Sequence, residues 1–157
     1  MSAKVSAALD SLEARSTIPD PWVGSRYEWF KRISGAEAGK VGERVAQLML
    51  GGQLVGRNTG YDLKAANGRR VEVKLCRKSF SKSNVWSWKQ IRRADDYDDL
   101  CLIAVDPASA RLFLIPKSGI PASALSNQHG RGGDGALSQI ACPQEILPSW
   151  ITSREIA

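Results

Sequence analysis

Asp62 is followed, after nine residues, by Glu72-Val73-Lys74, and the dipeptide Asn67-Gly68 lies between the two acids. Asn-Gly is a strong hairpin signal because both residues tolerate positive φ, and the alternation Arg70-Val71-Glu72-Val73-Lys74 reads as the strand that leaves the turn. Side chains two apart on a strand share a face, so Glu72 and Lys74 project together, opposite Val71 and Val73. The hairpin brings Asp62 back alongside them. Two carboxylates suit a hard divalent cation that keeps several waters and takes phosphate oxygens, and the neighbouring ammonium can hold the phosphate or the attacking water. This is a constellation for phosphodiester hydrolysis. Taken alone, the same string also describes a surface hairpin with a solvated charged face.

The elements needed to place such a cluster flank it. Ser34 with Glu37 has the capping-box pattern, so a helix is expected from about residue 36 to residue 50, stopped by Gly51-Gly52. Val41, Val45, Leu48 and Met49 mark its expected apolar face, and Lys40, Arg44 and Gln47 its wet face. Glu43 falls at the border, where a third metal ligand would be held; a solvated helix charge fits that position equally. A strand is expected at 53–56, then the hairpin through Cys76. The near-continuous apolar runs at 100–105 and 111–116 suit strands covered on both faces, which implies an α/β fold. Asp95, Asp96, Asp98 and Asp99 precede the first of these runs and read as its solvated turn. A short amphipathic helix is expected over 3–15 from Val5, Leu9 and Leu12. In 22–33, aromatics and bases alternate; the segment fits nucleic acid, a second subunit, or aromatics packed on the core. Trp150 is expected to close the fold against the core, and a short helix to follow Pro121.

Beyond the hairpin, Lys74, Arg77, Lys78, Lys82, Lys89, Arg92 and Arg93 succeed one another without an acid, and Phe80, Trp86 and Trp88 are interleaved with them. A solvated loop would mix signs, so the segment is read as a nucleic-acid contact. The lysines and arginines would meet phosphates, whereas Asn84, Gln90 or an arginine would read base edges in the major groove, and Trp86 and Trp88 are expected in the same contact.

Composition sets outer bounds. The chain has 157 residues, 43% of them hydrophobic, enough for one domain with a core. Its 22 Lys and Arg against 16 Asp and Glu give a net charge of +6, which favours an anionic partner. Three cysteines, Cys76, Cys101 and Cys142, match neither a zinc ribbon nor a disulfide framework and are expected reduced in or near the core. His129 is the only histidine, which leaves no basis for a multi-histidine metal site, and it reads as a loop residue rather than the base of a Ser-His-Asp or Cys-His pair. No apolar run has the length of a membrane span, so a cytoplasmic protein with no membrane partner is expected. The glycine-rich stretch 126–135 is expected to be a loop.

Asp62 with Glu72-Val73-Lys74 resembles the PD-(D/E)xK nucleases, which share the restriction-endonuclease-like fold, in their D...ExK form. Tyr61 stands where the name-giving proline would be, and Gly42-Glu43-Arg44 on an apolar helix resembles the element that supplies a further glutamate in that family. Gln90 with Tyr97 resembles a glutamine and tyrosine pair found in some branches. The resemblance covers about residues 35–116. It implies a central mixed β-sheet flanked by helices and an Mg2+-dependent endonuclease, with Mn2+ expected to substitute. Asp62, Glu72, the Val73 carbonyl and Glu43 would hold the ions, and Lys74 would position the nucleophile. DNA is the implied partner and a homodimer the implied assembly. A type II restriction-like enzyme leads, a Holliday-junction resolvase follows, and a non-catalytic DNA-binding module is the alternative from another class.

Overall fold

The computed structural model describes residues 3–13, 20–56, 59–80, 85–127, 137–142 and 146–157. Lys82, Asn84, His129 and Arg131 lie outside the described residues, as does most of the glycine-rich stretch. The described residues form, in order, α1 (Ala3–Glu13), α2 (Glu28–Arg32), α3 (Gly35–Leu50), β1 (Gln53–Leu54), β2 (Leu63–Lys64), β3 (Arg70–Arg77), β4 (Trp86–Arg92), β5 (Asp99–Val105), β6 (Ala110–Pro116), β7 (Ser126–Asn127), β8 (Leu137–Cys142) and α4 (Ser149–Thr152). The segment after Pro121 is a single 3-10 turn, Ala122–Ala124.

The central sheet has the order β1-β2-β3-β5-β6 and is mixed, because β3 and β5 run parallel while the other neighbours are antiparallel. Parallel neighbours need a crossover, and here the chain makes it through β4, which belongs to a second, three-stranded antiparallel sheet β4-β8-β7. The period of two along β3 splits the core accordingly. Val71, Val73 and Leu75 join Cys101, Ile103 and Val105 in the cluster that receives Ala38 and Ala46 of α3. Cys76 joins Leu100, Leu102 and Ala104 in the cluster that receives Trp86, Trp88 and Ile91 of β4. The central sheet thus has a helix on one face and a small sheet on the other. All seven residues of β5 are buried, as its apolar run led one to expect.

α3 begins where the capping box places it: the Ser34 hydroxyl accepts the Glu37 N–H, and the Glu37 carboxylate accepts the Ser34 N–H. Gly51 stops it at φ +70°. Its buried stripe corrects the expected face, however. Ala38, Gly42 and Ala46 are buried, flanked by Val41, Val45 and Leu50, while Leu48 is 76% and Met49 49% exposed. Small residues spaced by four let the helix lie close on the sheet; a Cβ on Gly42 would come within 3.2 Å of Leu75.

The hairpin forms where Asn67-Gly68 predicts it, with a different turn. The Gly68 N–H donates to Ala65 O, Ala65 N–H to Arg69 O, and only Gly68 takes positive φ, at +83°. This is a type I turn closed by a left-handed glycine, with the Asn67 side chain accepting the Arg69 N–H, and it needs no positive φ at Asn67. The acids before β5 are more than a solvated turn. Asp99, 3% exposed, takes both guanidinium nitrogens of Arg69 at 2.6 and 2.7 Å, and Asp98 takes Arg70 in the same bidentate way. Hydrogen bonds from Arg70 hold the Asp98 carboxyl well below the usual carboxylate range. These pairs tie the start of β5 to the start of β3, the strand that carries the site.

The remaining edge of the central sheet is covered by residues 154–157. Leu114 N–H donates to Arg154 O, Ile156 N–H to Leu112 O, and Arg111 pairs with Glu155. Leu147 and Ile151 close the core, with Trp150 packed beside them. Cys76, Cys101 and Cys142 are free and buried, in line with expectation.

Candidate active site

β2 is only two residues long, so it pairs with the first part of β3 and leaves the rest of that side of β3 open. Asp62 sits at this fork. Its N–H donates to Val71 O, its carbonyl accepts the Val55 N–H, and its Oδ2 accepts the Val73 N–H at 2.8 Å. The register Leu63↔Val71, carried one step further, sets Asp62 beside Glu72. In an extended strand N–H and C=O of one residue point to the same side, so the Val73 carbonyl faces the same fork.

Glu72 and Lys74 project together from β3, as the alternation requires, and meet as an ion pair of 2.6 Å. Glu72 is 7% exposed, and burial pushes its carboxyl up to about 7, with Lys74 opposing and Asp62 and Asp95 adding to the rise. Among the described residues, Asp62 Oδ1 and Glu72 Oε2 have no hydrogen-bond partner, so each acid keeps one oxygen for a ligand. Glu43 reaches the fork from α3. Burial raises its carboxyl, and Asp62 raises it further, while Lys74 and Lys40 pull it down. The helix position read as a border is therefore a position at the site.

A cleft of about 400 Å3 follows the open side of β3 between α3 and β4, lined by Gly39 and Glu43 on one wall, Lys89 and Gln90 on the other, and Lys74 on its floor. A second cleft, about 440 Å3, opens on the far side of Asp62 and is lined by Tyr61, Glu72, Arg92 and Asp95. Asp95 is a site neighbour that the sequence hid, since nothing in a run of acids marks which one faces Glu72. β4 carries a bulge between Trp88 and Ile91, where Gln90 adopts φ +59°. A bulge of this kind re-aims a side chain beside a site. Tyr97 is buried on the other side of Glu72; burial, then Glu72 and Asp95, push its hydroxyl up to about 12, and Lys117 Nζ lies 4.4 Å from its ring centre.

The basic segment divides. Lys89, Gln90 and Arg92 are exposed and border the clefts, as a nucleic-acid contact requires. Trp86 and Trp88 do not: they are 5% and 0% exposed, stacked on each other, and Trp88 Nε1 donates to Ile103 O. Their alternation is that of a core strand, so the expected nucleic-acid contact by these rings is corrected. Lys78 is 8% exposed, its ammonium held between the rings of Phe80 and Trp86. Arg77 lines the first cleft but spends its guanidinium on the carbonyls of Phe30 and Ile33, which satisfies the end of α2. Arg93 clamps Ser138 Oγ and Leu125 O. Lys78 is therefore withdrawn into the core, while Arg77 and Arg93 are anchored by main-chain and hydroxyl oxygens.

Among the described residues, no group of three or more His, Cys, Asp or Glu side chains lies close enough to hold a metal ion. The donor set is two carboxylates beside each other, a main-chain carbonyl and an acid across the cleft. That supply suits magnesium, which takes one or two carboxylates and fills its octahedron with water and phosphate; it does not suit calcium or zinc cages. Among the described residues, no helix is long and apolar enough to cross a membrane. Compared with known protein families and with curated proteins, the chain matches none.

Proposed function

We propose that the protein is a magnesium-dependent nuclease that hydrolyses DNA phosphodiester bonds, built on a restriction-endonuclease-like core. The observation that carries this reading is the meeting of Asp62, Glu72 and Lys74 at the open side of β3, with Glu43 brought over it by α3. Asp62, Glu72 and the Val73 carbonyl would hold the ion, and Mn2+ would substitute. When bound, the ion supplies charge stabilisation at the phosphate and a lowered pKa for a ligated water. Asp62 is oriented by the Val73 N–H, so its free oxygen is aimed before any ligand arrives. Lys74 opposes the burial that raises the Glu72 carboxyl, and its ammonium would be available to the scissile phosphate if Glu72 held a cation. Lys89, Gln90 and Arg92 on β4 would contact the substrate.

Cutting by a homodimer at a defined sequence and cutting at a four-way junction are the two forms this activity would take. A second reading, a DNA-binding module without catalysis, draws on the closed Glu72–Lys74 pair and the lack of a three-acid group among the described residues. Incubation of the protein with plasmid, a duplex library and a four-way junction in Mg2+, Ca2+ or chelator separates these. Product in Mg2+ alone is expected. Binding of equal strength in all three conditions with no product in any would establish the binding module.

A further inference from the structure

The segment leading into α3 alternates aromatics with bases, and the structure divides them. Trp22 and Phe30 are 2% and 3% exposed; Trp22 Nε1 donates to Lys78 O, and the Tyr27 N–H donates to Pro107 O. Arg77 fastens the far end through the carbonyls of Phe30 and Ile33. Trp29, on α2, is 56% exposed and belongs to neither core cluster, although tryptophan is highly buried on average. Its ring meets Phe30 edge to face, with centroids 5.4 Å apart and planes at 66°, so a core residue sets its orientation. Arg26 and Lys31 are exposed beside it, and among the described residues no ion pair takes either. The Arg26 guanidinium lies 5.1 Å from the Tyr27 ring centre and Lys31 Nζ 5.7 Å from that of Trp22, contacts that orient the cations and leave their N–H donors for an anion. The neighbouring acids are engaged: Asp20 accepts the Trp22 N–H, and Glu28 pairs with Arg32 at 2.7 Å. α2 ends at the first cleft, which follows α3 from Gly35 and Ala36 to Glu43, a run of about 12 Å.

We propose that Trp29, with Arg26 and Lys31 beside it, is a stacking platform for a base of single-stranded DNA, where a strand leaving the first cleft past the start of α3 crosses α2. The inference rests on the nucleic-acid half of the nuclease reading and adds to it a contact away from the cut. A paired base hides both faces in the duplex stack, so an indole ring takes a base only from an unpaired strand. Every base has such a face, and the platform therefore adds affinity without sequence preference. The two cations meet the phosphates on either side of the stacked base. A twofold contact between copies of the chain would instead set Arg26 and Lys31 against their own images, like charge against like.

The test measures, in Ca2+ and by fluorescence anisotropy, the binding of three end-labelled DNAs of one length: a single strand, a blunt duplex and a strand in which every base is replaced by an abasic site. Trp29→Ala is expected to weaken single-strand binding about tenfold, with salt slope and thermal midpoint unchanged, and to leave the blunt duplex as it was. Trp29→Phe should recover most of that loss, because any aromatic face stacks. The wild type should bind the abasic strand about tenfold more weakly than the natural one, and Trp29→Ala should add nothing to that difference. Arg26→Ala or Lys31→Ala should each lower the single-strand slope of log binding constant against log salt by about 0.7. Equal single-strand affinity of wild type and Trp29→Ala would overturn the platform, and a lower mass of that variant in light scattering would then assign Trp29 to a contact between copies. Mg2+-dependent cleavage alongside that result would leave the nuclease reading standing. Trp29-dependent binding with no cleavage in any cation would keep the platform and overturn the nuclease reading.

Discussion

Glu72 is where chemistry and stability pull in opposite directions. Its carboxyl is raised to about 7 from an ordinary 4.5, chiefly by burial, so the folded chain holds that proton more tightly than the unfolded chain does. Between about pH 4.5 and 7 the folded state binds more protons, and stability therefore falls as pH rises through this window and levels off above it. Glu72→Gln should flatten that fall, measured as the thermal midpoint of variant and wild type against pH; parallel curves would show that Glu72 is not the group. Ion binding requires the ionised acid. Magnesium affinity of the wild type, read by calorimetry, is thus expected to weaken as pH drops through about 7. At this level the acids and the lysine were legible, since a two-residue alternation puts Glu72 and Lys74 on one face whatever the rest of the fold does. Trp86, Trp88 and Lys78 were not. Aromatic and basic letters in alternation describe a core strand and a base-stacking surface equally, and the choice is made by a sheet that the local sequence does not contain.

Among the elements, α3 shows what capping signals can and cannot tell. Ser34, Glu37 and Gly51 set its ends, but its facing was misread because Leu48 and Met49 draw the eye to the wrong side. The sheet selects Ala38, Gly42 and Ala46, whose small size permits the close approach that brings Glu43 to the fork. Gly42→Val should force α3 away from Leu75, destabilise the fold by about 1–3 kcal/mol and lower cleavage through displacement of Glu43. Gly39→Ala, where a Cβ meets nothing within 4 Å, should instead stabilise by about 0.5–1 kcal/mol. Chemical denaturation of the two variants checks the pair; equal effects would contradict the packing account. In β4 the bulge holds Gln90 at φ +59°, a conformation that glycine adopts freely. Gln90→Gly is expected to keep or improve stability while raising KM for DNA, and a loss of stability with unchanged KM would assign Gln90 to the scaffold. β4 and β8 escaped prediction as strands because each is only half apolar and is completed by the other.

Across the whole molecule, the net charge of +6 favours an anionic partner without locating it. Several of the cations are committed elsewhere: Arg69 and Arg70 to the acids before β5, Arg77 to α2, Arg93 to β8, Arg111 to Glu155. Lys89 and Arg92, by contrast, are exposed at the clefts beside the fork. Alanine at Lys89 or Arg92 should each reduce the slope of log binding constant against log salt by about 0.9, whereas alanine at Lys78 or Arg93 should lower thermal stability and leave that slope alone. The mixed sheet was what the resemblance implied, but the strand order lay beyond the sequence for a related reason. A parallel β3–β5 pair reached through a strand of another sheet is fixed by long-range pairing, and by the double ion pairs of Arg69 and Arg70.

The central claim, that Asp62, Glu72 and Lys74 form a magnesium-dependent hydrolytic site, is tested most directly by single substitutions. Asp62→Ala, Glu72→Ala and Lys74→Ala would each be assayed for Mg2+-dependent DNA cleavage and, in Ca2+, for DNA binding. The account predicts that each abolishes cleavage while binding survives. Full cleavage by any one of the three would contradict it.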